Sequence, residues 1–318
     1  MLKRVLTLVI SLCTLLLFSC TDKESGTGEG ETPEEYNVTF TDSVGNLVTL
    51  NKKPEKVAVL FSSFADIWVS AGGRIDITVG ESVERGFAEE GVLLVDESAG
   101  HTTIDTETLI MASPDLVIGT ADYESNADAC NLCRDAGIPA ALFRVESLDD
   151  YLSMLKILCE ITECEENYVK YGEEVKKEAD EIIFSVPERE KQPRILFVRA
   201  GSGARSTKAK TAEDNFVCEM LKELKTENIA EKARVLLDGL SLEEIVSADP
   251  DYIFVSFMGK EEESRAYFDS LISGEGWRSL TAVKKGRVVY LPKELFHYKP
   301  NSRWATAYKT LYNELYGE

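Results

Sequence analysis

Histidine is scarce in this chain, whose 318 residues include two, His101 and His297. A zinc or manganese site built from three histidines is therefore excluded, and a serine-histidine-acid triad would have to use one of these two. Neither histidine lies in a recognisable partner motif. The sequence thus predicts no catalytic residues, no metal site and no resident cofactor, and it favours a binding protein over an enzyme.

Positive charge is also in short supply, with 35 Lys and Arg against 56 Asp and Glu and a net charge of -21. The acidity grows if residues 1–19 are removed, because they hold Lys3 and Arg4 and no acid. Such a balance argues against general binding to nucleic acid or to anionic lipid.

The N-terminus has one apolar run, Val5 to Phe18, which follows two basic residues and is too short to span a bilayer comfortably. The run leads into Ser19-Cys20 and resembles a bacterial lipoprotein signal, in which a small residue precedes the cysteine that becomes lipidated. Residues 1–19 are therefore predicted to be a signal peptide and Cys20 the lipidated first residue. The alternative is an uncleaved anchor helix.

The next segment, residues 20–35, is rich in Gly, Thr, Ser and acid and has nothing to bury. It is typical of a solvated tether. We therefore expect a protein held by lipid on the extracytoplasmic face of the cell membrane.

Seven cysteines are present, and five remain if Cys13 leaves with the signal and Cys20 carries lipid. Cys130 and Cys133 form a C-x-x-C in a helical stretch, without a second such pair or a histidine nearby. Neither a zinc site nor a thioredoxin motif is supported. Buried or half-buried thiols are the preferred interpretation, and a disulfide or redox role stays open.

Strand and helix patterns alternate along the chain. An apolar run over 57–61 is followed by a helical pattern up to Ala71, for which Ser63 and Asp66 predict a capping box and Gly72-Gly73 a left-handed C-cap. Such alternation predicts an α/β fold in which parallel sheets are covered on both faces.

The same pattern returns after about 136 to 139 residues. Glu107 stands seven residues before Pro114-Asp115, and Glu243 stands seven residues before Pro250-Asp251. A chain of this length usually divides into two units. We expect an N-terminal lobe over 36–147, a helix over 148–186 that connects the lobes, and a C-terminal lobe over 187–318.

Ligands of open parallel sheets bind beyond the carboxyl ends of the strands. One segment there, residues 191–212, has no acid and six cations, among them Arg199, Arg205 and Lys208. Cations that face another lobe across a cleft would attract an anion. The alternative is a solvated basic loop.

Other candidate ligand residues lie in neighbouring loops. Tyr123 and Tyr298 could stack on an aromatic chelate, and Arg144 follows a predicted strand. His297, with Met258, could be an axial haem ligand, although a surface or capping role is the alternative.

From Tyr36 onward the chain resembles the ABC-importer binding proteins for ferric siderophores, haem and cobalamin. The resemblance rests on Phe40-Thr-Asp-Ser-Val-Gly45 before Pro54, on the two Pro-Asp pairs, and on the segment from Trp277 to Val288. The ending, Leu295 to Trp304, is similar to a Gram-positive branch of iron-compound receptors.

The resemblance implies two α/β lobes joined by one long helix, the class III arrangement, with ligand in the cleft. It also implies that Glu107 and Glu243 form salt bridges to arginines of a permease dimer, which works with its ATPase. Siderophore receptors often place cations where Arg199 and Arg205 stand, and Arg85 could face them. No clear haem-ligand motif is present, which leaves the ligand open.

The expected function is a monomeric solute-binding lipoprotein that delivers an anionic iron complex, a ferric siderophore, to an ABC permease. A haem or corrinoid receptor of the same transporter class is the first alternative. An enzyme or metal chaperone on the same scaffold is the second.

Overall fold

The computed structural model describes residues 36–96 and 103–317. The predicted signal peptide, Cys20, the tether and His101 lie outside the described residues. The strands are β1 Val38–Thr41, β2 Leu47–Leu50, β3 Val57–Val59, β4 Ile77–Thr78, β5 Leu93–Leu94, β6 Leu116–Thr120, β7 Ala140–Phe143, β8 Arg194–Ala200, β9 Lys208–Ala209, β10 Glu227–Asn228, β11 Tyr252–Phe257 and β12 Val288–Tyr290.

Helices alternate with these strands. They are α1 Ser62–Ser70, α2 Gly80–Glu84, α3 Thr106–Ala112, α4 Glu124–Asp135, α5 Leu148–Thr162, α6 Glu165–Tyr168, α7 Glu174–Phe184, α8 Phe216–Glu223, α9 Leu242–Ala248, α10 Glu261–Ile272, α11 Glu275–Arg278, α12 Thr281–Lys284, α13 Lys293–Phe296 and α14 Trp304–Tyr316. None of the helices in the described part of the chain combines the length and apolarity that a membrane crossing requires.

Two separate sheets confirm the predicted α/β class. The first has the order β5-β4-β3-β6-β7 and is parallel throughout, and the hairpin β1-β2 forms a small sheet of its own. The second has the order β10-β8-β11-β12, with parallel pairs. At the edge of this sheet, β9 turns back to pair antiparallel with β8.

One hydrophobic core spans both sheets through α1, α5, α7, α8 and α14, and smaller cores cover the outer face of each sheet. Along β8, Ile195 and Phe197 enter the shared core, whereas Leu196 and Val198 enter the outer one. This alternation follows from the two-residue period of a strand. It explains why these strands are apolar throughout.

The internal repeat has a structural counterpart at the start of each half. The Asp115 carboxylate accepts a hydrogen bond from the Lys56 backbone N–H, and the Lys56 ammonium binds the Ala112 carbonyl. In the second half Asp251 accepts from the Arg194 N–H, and the Arg194 guanidinium binds the Ala248 carbonyl. In each half, therefore, the Pro-Asp segment links the start of one strand to the helix that precedes the adjacent strand.

The prediction of one helix over 148–186 is wrong. Helix α5 ends at Thr162, the next residue, Glu163, has a left-handed φ of 58°, and a second helical segment begins at Glu165. That segment passes from α6 through a π-helical turn, Val169–Glu173, into α7. The span 148–186 therefore contains two helical segments, of which the first, α5, packs against α1 and β1.

The start of α1 also differs from the sequence prediction. Phe61 is its N-cap, and no side chain caps the helix. Ser63 and Asp66 instead accept hydrogen bonds from Lys299 and Asn301, respectively. The left-handed C-cap is confirmed, because Gly72 has a φ of +93° and the Gly73 N–H donates to the Trp68 carbonyl at 2.9 Å.

Candidate ligand-binding site

The two halves meet where loops leave the carboxyl ends of their strands. Asn301, after α13, donates through its amide to the Ser63 carbonyl at 2.7 Å and to the Asp66 carboxylate at 2.9 Å. Asn301 is fully buried and has a left-handed φ of 54°. This hydrogen-bonded bridge fixes the loop that follows α13 against α1.

A second bridge lies beside it. The Lys299 ammonium is 2.5 Å from the Glu146 carboxylate, which also accepts from the Phe216 backbone N–H at 3.1 Å. Lys299 is largely buried, and its ammonium lies 4.9 Å from the centroid of the Phe216 ring. Since both charges are compensated, this pair holds the halves together and contributes no free charge to the site.

Arg85 belongs to the first half, and its side chain contacts the second half. Its guanidinium carbon lies 3.8 Å from the centroid of the Tyr298 ring and 4.8 Å from that of Phe87. The same group donates to the hydroxyl oxygens of Ser62 and Ser63 at 2.9 and 3.3 Å. Cation–π contact and two hydrogen bonds therefore position this arginine within the interface.

His297 is surrounded by positive charge. Burial, followed by the charges of Arg199, Lys293 and Arg85, lowers the pKa of His297 from 6.5 to about 3. Its Nδ1 is buried and has no hydrogen-bond partner in the described structure. The imidazole is therefore neutral at physiological pH. We name Arg85, Arg199, Lys293, His297 and Tyr298 the strand-end cluster.

Tyr123 faces the strand-end cluster from the first half. Its ring packs edge-on against Phe61, with centroids 5.6 Å apart. Burial raises the pKa of Tyr123, and the charge of Arg199 opposes that shift. Arg199, at the end of β8, thus lies close enough to Tyr123 and to His297 to act on both.

Nearby carboxylates neutralise the positive charge of the strand-end cluster only in part. Burial lowers the pKa of Arg85, while Glu81 and Asp66 offset that shift. Within the described chain, Arg199 and Lys293 have no carboxylate within ion-pair distance. In an acidic protein, these two cations and the stacked arginine make a local positive site.

The remaining predicted ligand residues are less closely grouped. Arg205 is exposed in a 3₁₀ turn, and Lys208 pairs with Arg199 in the β8–β9 ladder. Arg144 is exposed and its Nε lies 2.8 Å from the Asp122 carboxylate. Met258 follows β11, half-buried. The structure joins Arg85, Arg199, Tyr123, His297 and Tyr298 into one site and leaves the others at its margin.

Three participants carried no clear sequence signal. Lys293 and Lys299 flank the Leu295 to Tyr298 segment, and Phe61 ends a predicted strand. Lysines next to a candidate loop could have been included on charge alone. The neighbouring residues in the sequence, however, do not distinguish Lys299, which forms an ion pair, from Lys293, which does not within the described residues.

Glu107 and Glu243 occupy matching positions outside the site. Each is exposed in the first turn of a seven-residue helix, α3 and α9, respectively. Both helices end at a left-handed residue, Ser113 with a φ of 50° and Asp249 with a φ of 41°. The two carboxylates therefore stand at the same register of a repeated unit.

Two further features lie elsewhere. No group of three or more His, Cys, Asp or Glu suited to a metal ion occurs among residues 36–96 and 103–317. A surface groove of ≈ 660 Å³ runs along α7 beside Leu152, Tyr168 and Phe184, away from the strand ends. Its rim is charged, with Lys176 paired to Asp180, and no strand-end residue lines it.

Comparison with known proteins identifies relatives. The model of the periplasmic binding protein family matches residues 57–295. The Bacillus subtilis strain 168 protein YvrC, named an uncharacterized ABC transporter substrate-binding lipoprotein, is 25% identical over 269 residues, which cover 82% of this chain and 80% of that protein.

Solved structures with the same fold include two with named ligands. The periplasmic heme-binding protein RhuT from Roseiflexus sp. RS-1, in apo form, has a TM-score of 0.67 and 19% identity, covering 82% of this chain and 98% of its own. The siderophore-binding protein BauB, bound to two acinetobactin molecules and ferric iron, has a TM-score of 0.69 and 15% identity, covering 89% and 100%. Since the family model covers most of the chain, including both five-stranded sheets, this chain belongs to the periplasmic binding protein family.

Proposed function

We propose that this chain is the extracytoplasmic solute-binding lipoprotein of an ABC importer and that it captures an anionic iron complex, a ferric siderophore, at the strand-end cluster. The observation that carries the proposal is the convergence of Arg85, Arg199 and Lys293 on His297 and Tyr298. Relatives named as a substrate-binding lipoprotein and as a siderophore-binding protein support it.

Charge explains why the ligand should be anionic. The whole chain carries a net charge of -21, so its surface repels anions in general. A partly buried cation attracts an anion at 4 Å by about 4 kcal/mol at an effective dielectric constant near 20. Guanidinium groups also bind carboxylate or catecholate oxygens in a bidentate manner. The cluster would thus select anionic cargo from an otherwise unfavourable surface.

Aromatic groups explain why the cargo should be a chelate and not a bare inorganic anion. Phe61 and Tyr123 contribute ring faces and edges on one side, and Tyr298 does so on the other. Aromatic side chains bury large apolar areas and stack on planar ligands. Binding of this kind needs no covalent step, so the proposed role is capture and not turnover.

Delivery of the ligand to the permease would use the exposed first turns of α3 and α9, one in each repeated unit. We propose that Glu107 and Glu243 bind arginines of the permease dimer, whose ATPase drives import. Their exposure and matching register on α3 and α9 support this role. The lipid on Cys20 would keep the protein beside that permease, as the name of the Bacillus relative suggests.

A second candidate ligand is haem or a corrinoid. The neutral imidazole of His297, with a pKa of about 3 and an unpartnered buried Nδ1, favours it, because a neutral imidazole is a common axial ligand. The heme-binding relative RhuT supports the same reading. A Soret or corrinoid absorbance band in the purified protein would favour this ligand over a siderophore.

Titration of the whole apoprotein tests the proposal. Ferric complexes of a tricatecholate, a trihydroxamate and a polycarboxylate would be added while tryptophan fluorescence is followed, with each metal-free chelator and haem as matched probes. We expect saturable quenching by an anionic ferric complex, weaker at high ionic strength. Absence of saturable binding to every iron complex and to haem would overturn the proposal.

A further inference from the structure

The C-terminus of α5 places two cysteines at the two ends of one backbone motif. Glu163 is left-handed, the Cys164 N–H donates to the Cys159 carbonyl at 3.0 Å, and the Glu163 N–H donates to the Glu160 carbonyl at 3.3 Å. These two bonds define a Schellman motif, in which the side chains at the two ends are commonly in contact. Here both of those side chains are thiols.

The two thiols differ in access to solvent. Cys159 is 2% exposed, whereas Cys164 is half-buried. Burial, with Cys164 as the next contribution, raises the pKa of Cys159 to about 11. Cys164 is therefore the more exposed of the two residues, and its sulfur donates to the Thr162 carbonyl at 3.5 Å and packs against Gly72.

The other described cysteines are poor candidates for oxidation. Cys130 and Cys133 are fully buried on the inner face of α4, and Cys218 is 2% exposed. A dissolved oxidant therefore has no direct access to the C-x-x-C pair, although its sequence spacing is the more familiar one.

We propose that Cys159 and Cys164 form a reversible disulfide, made by exchange with a small-molecule disulfide in the oxidising space outside the cytoplasm. The Cys164 thiolate attacks the small-molecule disulfide, forms a mixed disulfide and releases one small thiol. Cys159 then loses its proton and attacks the Cys164 sulfur, which releases the second small thiol. The two protein thiols are oxidised, and the reagent is reduced to two thiols.

The bond would fix a structural corner. Cys164 is the N-cap of α6, so the disulfide would join the end of α5 to the start of the helical segment 165–184 between the halves. Lys53 already binds this corner, since its ammonium donates to the Thr162 carbonyl at 2.8 Å and pairs with Glu163 at 2.7 Å. Oxidation would add a covalent restraint on the same turn to these polar contacts.

Peptide mapping of the whole protein tests the inference. Protein purified under reduction would be exposed to oxidised glutathione, its remaining thiols alkylated, and the chain cleaved after glutamate. Glu160 and Glu163 lie between the two cysteines, so cleavage separates Cys159 from Cys164 unless a disulfide joins them. We expect a linked peptide pair that dithiothreitol releases, with loss of two alkylatable thiols per folded domain.

Single variants supply the controls. Cys159→Ser should leave Cys164 as a stable mixed disulfide with glutathione, Cys164→Ser should leave Cys159 unmodified, and Cys130→Ser should still form the bridge. Alkylation of Cys159 and Cys164 that is unchanged after oxidation would overturn the inference, as would loss of the alkylatable thiols of Cys130 and Cys133, which share one peptide in this digest, in place of those of Cys159 and Cys164. Both outcomes are read on the unmodified sequence, so they do not depend on how a variant folds.

Discussion

The guanidinium of Arg85 stacks on the ring of Tyr298 at 3.8 Å, which joins a loop of the first half to a loop of the second. Arg85 is also held by the hydroxyls of Ser62 and Ser63. An arginine fixed on three sides loses little rotamer freedom when it binds a ligand, because that entropy is already lost on folding. The same contact thus joins the halves and, in the proposed function, would hold a cation ready for the ligand.

Replacing Arg199 with alanine should weaken binding of the anionic ferric complex roughly 10- to 100-fold, because a hydrogen bond to a charged group contributes about 1.5–3 kcal/mol. Arg144→Ala is the matched control. Arg144 also follows a strand but is already paired with Asp122 at 2.8 Å, so its loss should change affinity by less than about threefold. Equal losses in the two variants would show that the ligand lies elsewhere on the strand ends.

The double variant Glu107→Ala with Glu243→Ala should bind ligand normally and fail in transport. Both carboxylates are exposed and lie outside the strand-end cluster, so affinity has no reason to change. Uptake by cells that carry each variant is the measurement, with Glu244→Ala, the exposed neighbour, as control. Loss of affinity in the double variant would show that the pair has been misassigned.

His297 should make the fold sensitive to acid. Its pKa is lowered from 6.5 to about 3, so between these values the unfolded chain binds a proton that the folded chain does not. Stability should therefore fall as pH drops below about 6.5 towards 3. The positive charges of Arg199, Lys293 and Arg85 act on the imidazole in the same direction as burial, so they do not reverse the sign.

Melting temperatures at pH 7 and pH 4.5 would measure this effect. The wild-type protein should lose more stability between the two than His297→Gln, which cannot take up the proton. Carboxylates titrate in both proteins, and the comparison cancels them. Equal losses would mean that His297 is not held neutral by its surroundings.

Asn301→Ala should destabilise the fold by about 1–3 kcal/mol, because the Asp66 carboxylate and the Ser63 carbonyl lose their donor in a buried place. The left-handed φ of 54° adds about 1 kcal/mol for alanine but not for glycine. Urea unfolding of Asn301→Gly and Asn301→Ala separates the two contributions. If both variants match the wild type, the bridge does not stabilise the contact between the halves.

The order of secondary-structure elements and their duplication were predictable because each depends on local chemistry. Apolar strands, helix signals and the Pro-Asp pairs repeat in the chain, and the structure places Asp115 and Asp251 in equivalent hydrogen bonds. Ser63 and Asp66 show the limit of such reasoning. Their spacing is that of a capping box, yet distant residues, Lys299 and Asn301, bind them instead.

By itself, the sequence determined the α/β class, the two related halves and the cation-rich stretch 191–212 in an acidic chain, because strand, helix and charge patterns are properties of near neighbours. Only the tertiary structure decided which of those cations form a site. Arg194 and Arg199 lie near opposite ends of one strand, which advances about 3.3 Å per residue and alternates its faces. Arg194 binds the Ala248 carbonyl at one end, whereas the charge of Arg199 at the other end acts on the pKa values of His297 and Tyr123. The residues that distinguish these two arginines come from remote parts of the chain.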